Sequence, residues 1–546
     1  MASNGRHVSL AHPEPAPVEL EKHQDEHVDH TGLVPVGTRN TGADTEKGST
    51  RYAGSETGLV LREENKKAER RLLLKLDCAI LPFAVLLYLS AYLDRGNLAN
   101  ARLQGLQKSV LDNEDQNYSI ALSMFFVTYI VFSVPGTLLA KQFLPSRSIA
   151  CGALIWSIAA TCQAATYNKA GLYVCRLFVG VGEAMFGQAM ALHLSYWYTK
   201  TDLAKRVGLF ISAGALSGAF GGLISFGVSS IKHTAIPQWR ILFLIEGCPS
   251  VLLAICVFLF MPSRPETSRY LTEEERTLCL TRLNAESNVE TNMGIEWGGV
   301  RRCLTDWKTY VISLAYSCMN LNLGSVGGFL PTIIKGFGYS NARAQLFTVP
   351  PYAVALVFML LLTSFSDHRQ TRGFPAASVF VLGLVGWAIL LAVPASHITH
   401  AQYSARYFAC CLIVTAGYTN IPLIISWQSG CTGSQSQRAT SLGMLNSVGQ
   451  CLSLLAAFLF PSKEGPQYRK GAIVNIAFQA LGLILVLAMT AYYRYENRRR
   501  DKVEGGRPPK GTPLNVLEEY DLAPGKPKFP SPVFTSDCTV QSILTL

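Results

Sequence analysis

Charge is scarce in this chain: Asp, Glu, Lys and Arg make up 16% of 546 residues, against 49% hydrophobic ones, and the charges gather at both ends and in one central stretch. That excludes an ordinary soluble domain, in which about a quarter of the residues are charged. No CxxC pair occurs among the 14 cysteines, and most, such as Cys151, Cys162, Cys256 and Cys451, lie inside apolar stretches. They read as small core residues rather than metal ligands or disulfide partners. HExxH, paired metal ligands and a nucleophile elbow are all missing, which argues against an enzyme. His193, the clearest histidine in an apolar stretch, reads as a packed, hydrogen-bonded residue. Neither metal nor cofactor is expected. The net charge of +11 could point to nucleic acid, but the basic residues border apolar stretches and form no aromatic-interleaved groove, so no nucleic-acid partner is expected. The polar first 70 residues lack the early apolar region of a signal peptide, so insertion is expected to start at the first apolar helix. The end of the chain has no CaaX box.

Long apolar runs are present in abundance. Roughly twelve segments of about 18 or more residues, each long enough for a hydrocarbon core of about 30 Å, begin near Leu76, Ile120, Ile149, Tyr173, Val207, Ile241, Tyr310, Phe347, Ala376, Tyr407, Leu442 and Ile473. In lipid they must be helices, because only a helix satisfies its backbone internally. The fold class is therefore an all-α membrane protein, with the bilayer as a partner. Two sets of six helices around a central connector suggest an internal repeat of transporter type.

The expected division is a disordered N-terminal tail over 1–70, a first six-helix bundle over 71–262, a linker over 263–306, a second bundle over 307–495 and a disordered tail over 496–546. His23, His27 and His30 stand at helical intervals in the first tail, a spacing compatible with a weak metal site but better read as solvated tail. In the linker, Thr272 and Glu275 can form a capping box. Basic residues set the orientation. Arg70, Arg71 and Lys75 precede the first helix, Lys200, Lys205 and Arg206 follow the fourth, and Arg498 to Arg500 close the last, all on one side. Both termini are expected to be cytoplasmic, against a single contrary connector with Lys463, Arg469 and Lys470.

Against this oily background the stretch "YLDRGNLANARL" puts Asp94, Arg95, Asn97 and Asn100 into the first helix, and "CRLFVGVGEAMFGQ" puts Arg176, Glu183 and Gln188 into the fourth. The seven residues from Arg176 to Glu183 make about two turns, so both side chains share one helix face about 10 Å apart. The sixth helix adds Arg240 and Glu246 nearer its outer end. An ionised residue near mid-bilayer costs roughly 2.5–3.5 kcal/mol on insertion scales, so such charges are paired or face a cavity. One reading is a static interhelical pin. The other is a working site, with Asn97, Asn100, Gly180, Gly182 and Gln188 as a polar channel wall. An anion would take the forked donors of Arg95 and Arg176, leaving Asp94 and Glu183 to take up protons, which is proton–anion symport in outline. Asn320, Asn322, Tyr418, Asn420 and Asn446 are cavity candidates from the second half, with interhelical hydrogen bonding as the alternative. In the fifth helix, Gly214, Gly218, Gly221 and Gly222 permit close helix approach, sliding or static. Asn117 heads an Asn-Tyr-Ser glycosylation sequon next to the second helix.

"YLDRGNLANARLQGL", "RLFVGVGEAMFGQAMALHLSYWY", "WRILFLIEG" and "PSRPETSRYLTEEER" resemble, in order and placement, the fungal anion:cation symporters of the major facilitator superfamily, the allantoate, nicotinate and pantothenate permease-like group. The likeness runs from about Leu72 to Glu496. It implies two six-helix bundles, a central cavity, alternating access and proton-coupled uptake of an organic anion such as a vitamin, ureide or sugar acid, in a monomer at the plasma membrane. In bacterial sugar-acid members the matching acids are the proton-coupling pair, here Asp94 and Glu183, with Arg95 and Arg176 as basic partners. "SFSDHRQTRG" resembles the superfamily's cytoplasmic loop motif, which places Asp367, Arg369 and Arg372 at a gate. The chain departs from the pattern at "TGSQSQRAT", which keeps only Arg438 of a basic pair, and at "AKQFLPSRS", where the loop motif is missing after the second helix. Export is the nearest rival function, although proton antiporters of that kind carry a Gly-Pro pair in the fifth helix and "GALSGAFGG" has no proline. A nutrient sensor that does not transport is the other alternative.

Overall fold

The computed structural model describes residues 50–142, 144–231, 235–286, 297–369, 371–394, 400–432 and 435–503. His23, His27 and His30 and most of both expected tails fall outside these residues. Residues Met1–Asn65 form a unit separate from Lys66–Leu546. The architecture below is that of the second unit.

Among the described residues ten helices are long and apolar enough to cross a membrane. The first half holds α1 (Thr50–Leu103), α2 (Asp115–Gln142), α3 (Pro145–Cys162), α4 (Lys169–Ser195), α5 (Lys200–Ser229) and α6 (Gln238–Phe260). A linker helix, α7 (Glu273–Glu286), follows. The second half holds α8 (Trp307–Lys335), α9 (Val349–Arg369), α10 (Gly373–Ala392), α11 (His400–Gly430), the pair α12 (Gln435–Gly449) and α13 (Cys451–Ala456), and α14 (Arg469–Val503). Most helices start a few residues ahead of the apolar runs because their first turns are polar, whereas α9 starts two residues after Phe347. The membrane part of α1 runs from Lys67 to Leu103. We call the face at Lys67 the near face and that at Leu103 the far face.

Two of the expected twelve spans, α8 and the α12–α13 pair, are not among the ten apolar helices. α8 has 29 residues but carries Ser313, Ser317, Asn320, Asn322 and Ser325, all buried. It needs no lipid-compatible face because protein surrounds it. The eleventh span breaks at Gln450 into α12 and α13. Broken helices are tolerated at membrane depth where they line a cavity. Lipid-facing positions show the opposite pattern: Leu252, Leu361 and Ile484 are 64%, 66% and 62% exposed, as suits a hydrocarbon solvent.

The internal repeat is visible in the packing. α4 packs on α2 and α3, and α3 on α6; in the second half α11 packs on α9 and α10, and α10 on α14. Across the halves α2 meets α12, and α5 meets α9. Glycines permit these approaches. A Cβ at Gly218 would lie 2.3 Å from the Tyr352 ring, and one at Gly222 would lie 2.4 Å from Thr348 Oγ1. The glycine face of α5 is thus a contact surface between the halves. Gly182 likewise seats α4 on α3, where a Cβ would come within 2.5 Å of Trp156 N and 2.6 Å of Gly152 O. Gly182→Ala is expected to destabilise by about 1–3 kcal/mol through overpacking, read as a lowered melting temperature in detergent. Gly227→Ala, whose Cβ meets open space, is the matched neutral control.

The linker capping box is formed: Thr272 N donates to Glu275 Oε2 at 3.0 Å, and Glu275 N donates to Thr272 Oγ1 at 3.3 Å. Lys75 Nζ also donates to Glu275 Oε2 at 2.6 Å, tying α7 to the start of the membrane part of α1. The Lys75 ammonium and then the Thr272 amide hold the Glu275 carboxyl below the usual carboxylate range.

Candidate functional site

Two cavities meet where α1, α2, α5, α8, α11 and the α12–α13 break converge. The one nearer the far face spans about 810 Å³ of empty space, open solvent included, and is lined by Arg95, Asn100, Gly218, Tyr352, Tyr418 and Ser453, among others. The second spans about 610 Å³ on the same measure, with Tyr88, Tyr129, Glu183, Phe186, Tyr316 and Asn446 in its wall. Tyr92, Arg95 and Gln450 line both. Arg95 therefore stands at the junction, opposite the break between α12 and α13.

Arg95 donates through both Nε, at 3.1 Å, and Nη2 to the same oxygen, Oε2, of Glu183. Oε1 of Glu183 has no hydrogen-bond partner among the described residues. The guanidinium lies 4.7 Å from the ring centroid of Tyr92, 4.6 Å from that of Phe125 and 5.2 Å from that of Tyr129. Three rings thus surround the cation, each contributing a favourable quadrupole contact. Local sequence explains the cage. Tyr88 and Tyr92 are four residues apart on α1, as are Phe125 and Tyr129 on α2, so each pair shares one helix face beside the charge.

The four expected charged groups do not form one symmetrical set. Arg95 and Glu183 face the cavity. Asp94, 2% exposed, and Arg176, 1% exposed, line neither cavity. Arg176 is within electrostatic reach of Asp94 and Glu183, but its Nε and Nη2 have no hydrogen-bond partner. The successive residues Asp94 and Arg95 are about 100° apart around their helix, which sends one into the first bundle and the other towards its surface. The expectation of a ligand held by two arginines is corrected to one arginine at the cavity.

The second-half candidates divide in the same way. Tyr418 and Asn446 are cavity-lining. Asn322 is an interhelical tie, its Nδ2 donating to Ile413 O at 2.9 Å and its Oδ1 accepting from Trp387 Nε1 at 2.9 Å. Asn320 and Asn420 are buried outside both cavities, and Asn97 donates to Leu242 O of α6 at 3.5 Å. The proposed polar channel wall also needs correction at its glycines. Gly180 faces Phe125 and Thr128 of α2, and Gly182 faces α3, so both serve close packing. The side chain of Gln188 lies outside the described residues. Asn117 is 7% exposed and its Nδ2 donates to Leu111 O at 3.2 Å and Glu114 Oε2 at 3.1 Å, which leaves no free amide for a glycan. His193 is packed against Trp197, but neither ring nitrogen has a hydrogen-bond partner, contrary to expectation. Sequence reasoning found Tyr418 but missed Tyr88, Tyr92, Tyr129, Tyr316, Tyr352 and Gln450. The aromatic i, i+4 pairs beside Arg95 were the available signal, whereas the helix break at Gln450 has none.

A network at the far face joins the halves. Arg102 donates to Gln107 Oε1 (2.7 Å), Asp115 Oδ1 (2.7 Å) and Ser462 Oγ (3.2 Å), and Ser462 N donates to Asp115 Oδ2 at 2.7 Å. Asn341 and Gln345 add bonds to the carbonyls of Leu103 (2.8 Å) and Asn100 (3.2 Å). The far face is latched. Asp115→Asn should weaken this latch by about 1 kcal/mol, raising the far-open population roughly fivefold. Impermeant-maleimide labelling of a Gly327→Cys reporter in the cavity wall, measured over the native-cysteine background, checks this.

A family model described as Major Facilitator Superfamily matches residues 84–458. The chain belongs to the major facilitator superfamily. Among curated relatives of this facilitator, an MFS-type transporter, efuF, of Hormonema carpetanum is 32% identical over 83% of this chain and 91% of its own length. The high-affinity nicotinic acid transporter of Saccharomyces cerevisiae is 30% identical over 80% of each chain. Among solved structures, the proton:xylose symporter XylE matches with a TM-score of 0.60 at 15% identity, covering 76% of this chain and 96% of that one. That likeness shows the fold alone. The protein is thus a multi-pass membrane transporter and not an enzyme.

In this facilitator the loop-motif residues lie at the near face, where Arg372 pairs with Asp367 and donates to Ser366 Oγ at 3.1 Å. The Arg369 guanidinium lies 5.5 Å from the Phe365 ring centroid. Arg438 lies on α12.

Proposed function

We propose that this facilitator couples proton movement to uptake of a small organic anion, and that the anion is a planar aromatic or heteroaromatic carboxylate. The supporting observation is Arg95, which sits in the wall of both cavities, holds Glu183 and is ringed by Tyr92, Phe125 and Tyr129. A carboxylate competes with Glu183 for the guanidinium fork, while a flat ring stacks among the tyrosines. Nicotinic acid, for which the Saccharomyces cerevisiae relative is a high-affinity transporter, is of this class.

Coupling follows from partner exchange. When the anion takes Arg95, Glu183 is left buried without its cation, and protonation relieves the cost. Proton and anion then favour each other's binding. One proton with one monovalent anion moves no net charge, so the pH difference alone drives the cycle. A second proton would add about 2.3 kcal/mol per 100 mV of membrane potential.

The surrounding device is alternating access by a monomer at the plasma membrane, with both termini cytoplasmic. The near face is then the inner one, and Asp367, Arg369, Arg372 and Arg438 belong to its gate. Labelled nicotinate and a non-aromatic carboxylate of equal charge should be offered to proteoliposomes with a proton gradient directed inwards across the far face. Accumulation of the aromatic acid with external alkalinisation is the expected result. Accumulation only under the opposite gradient would assign export, and binding without flux would assign a sensor.

A further inference from the structure

Behind the cavity, enclosed within the first bundle, lies a second group of ionisable side chains. Asp94 on α1, Arg176 on α4 and Glu246 on α6 are 2%, 1% and 5% exposed. Asp94 and Glu246 lie about 13 Å in from the far ends of their helices, so they share a depth. Asp94 is the charged group whose field reaches Glu246. With the Arg95–Glu183 pair, these buried groups of the first bundle number three acids and two guanidiniums.

The guanidiniums are already assigned. Arg95 is committed to Glu183, and Arg176 is the base within reach of Asp94. Glu246 is left over. Both its carboxyl oxygens are buried without a hydrogen-bond partner among the described residues. Arg240, on the same helix, is turned away: it lies 4.4 Å from the Tyr167 ring centroid and 4.9 Å from that of Trp239, and donates to Thr166 O at 3.1 Å. Among the described residues, the neighbouring helices supply no cation to Glu246. α1 presents Asp94 and Asn97, α3 presents Trp156 and Thr161, and residues 207–229 of α5 carry no charge.

We propose that Glu246 is a proton-carrying acid of this transporter, sharing one proton with Asp94 in a polar compartment that neither residue leaves for the substrate cavity. A carboxylate enclosed with neither cation nor donor is costly, whereas the acid form is neutral and has a proton to donate to Asp94. Other polar atoms at this depth also lack partners: Asn97 Oδ1, Trp156 Nε1, and Arg176 Nε and Nη2. They are donors and an acceptor that can solvate the two carboxyls in place of water, and the proton is exchanged between the carboxyls themselves. The compartment keeps that proton apart from the anion's path.

The test uses the full-length protein in detergent and then in proteoliposomes. Infrared spectra at neutral pH should show a protonated-carboxyl stretch that Glu246→Gln removes and Glu183→Gln leaves in place. Asp94→Asn should cause the same band to vanish at lower pH, because the neighbouring negative charge that favours the acid form is gone. The role of Glu246 in the cycle rests on the symport reading. There Glu246→Gln, which can neither take up nor release a proton, should lower the accumulation reached across one unit of pH difference about tenfold. Glu246→Asp, which keeps a carboxyl, should retain the band and the wild-type pH dependence. A band that survives Glu246→Gln, or an unchanged pH profile, overturns the proposal. If Glu183→Gln still accumulates substrate while the band assignment holds, the partner-exchange reading falls and Glu246 stands.

Discussion

Glu183→Gln should abolish concentrative uptake while leaving substrate exchange within a few-fold of wild type. Glutamine keeps an oxygen that can accept from Arg95 Nε and Nη2, so the pairing geometry survives without the charge. It cannot take up and release a proton. An electroneutral symporter concentrates its substrate up to about tenfold per unit of pH difference, since one unit is worth about 1.4 kcal/mol per proton. In the variant that factor should fall to one. Steady-state accumulation under an imposed gradient, set beside counterflow without one, separates the two quantities. Undiminished accumulation would move the coupling proton off Glu183, with Asp94 next in line.

Arg95 carries the second large effect, and its two substitutions should differ in kind. Arg95→Lys keeps a cation for Glu183 but loses the fork, so the half-saturating concentration should rise roughly ten- to hundredfold, the equivalent of about 1.5–3 kcal/mol for a charge-assisted bond. Arg95→Ala leaves Glu183, 2% exposed, as an unpaired buried acid. Removing one partner of a buried pair costs about 3–5 kcal/mol, so this variant should be poorly folded. Adding Glu183→Gln to Arg95→Ala should restore the melting temperature without restoring substrate binding. A double variant that binds normally would remove the guanidinium from the site.

Much of the architecture was legible because the bilayer leaves few choices. Apolar runs of sufficient length had to be helices, and the repeat of six and six followed from counting them. Even so, α8 and the broken α12–α13 pair are too polar or too short to rank as apolar spans. Their polar residues face protein, which hydropathy alone cannot detect. The capping box at Thr272 and Glu275 was readable because its bonds join residues three apart. The site was readable in part. A charge inside an oily helix announces itself, but Asn97 and Asn322 looked the same as Tyr418 and Asn446 until their surroundings were known.

Chain order and hydrophobic period by themselves determined the class of molecule, its helices and the presence of costly buried charges, because these depend on each segment's encounter with lipid. Only the tertiary structure decided which guanidinium meets which carboxylate. Adjacent residues such as Asp94 and Arg95 point about 100° apart, and whether either direction leads to a cavity or to a closed compartment depends on helices far away in sequence. Partners 88 positions apart, such as Arg95 and Glu183, meet through packing that no local pattern encodes.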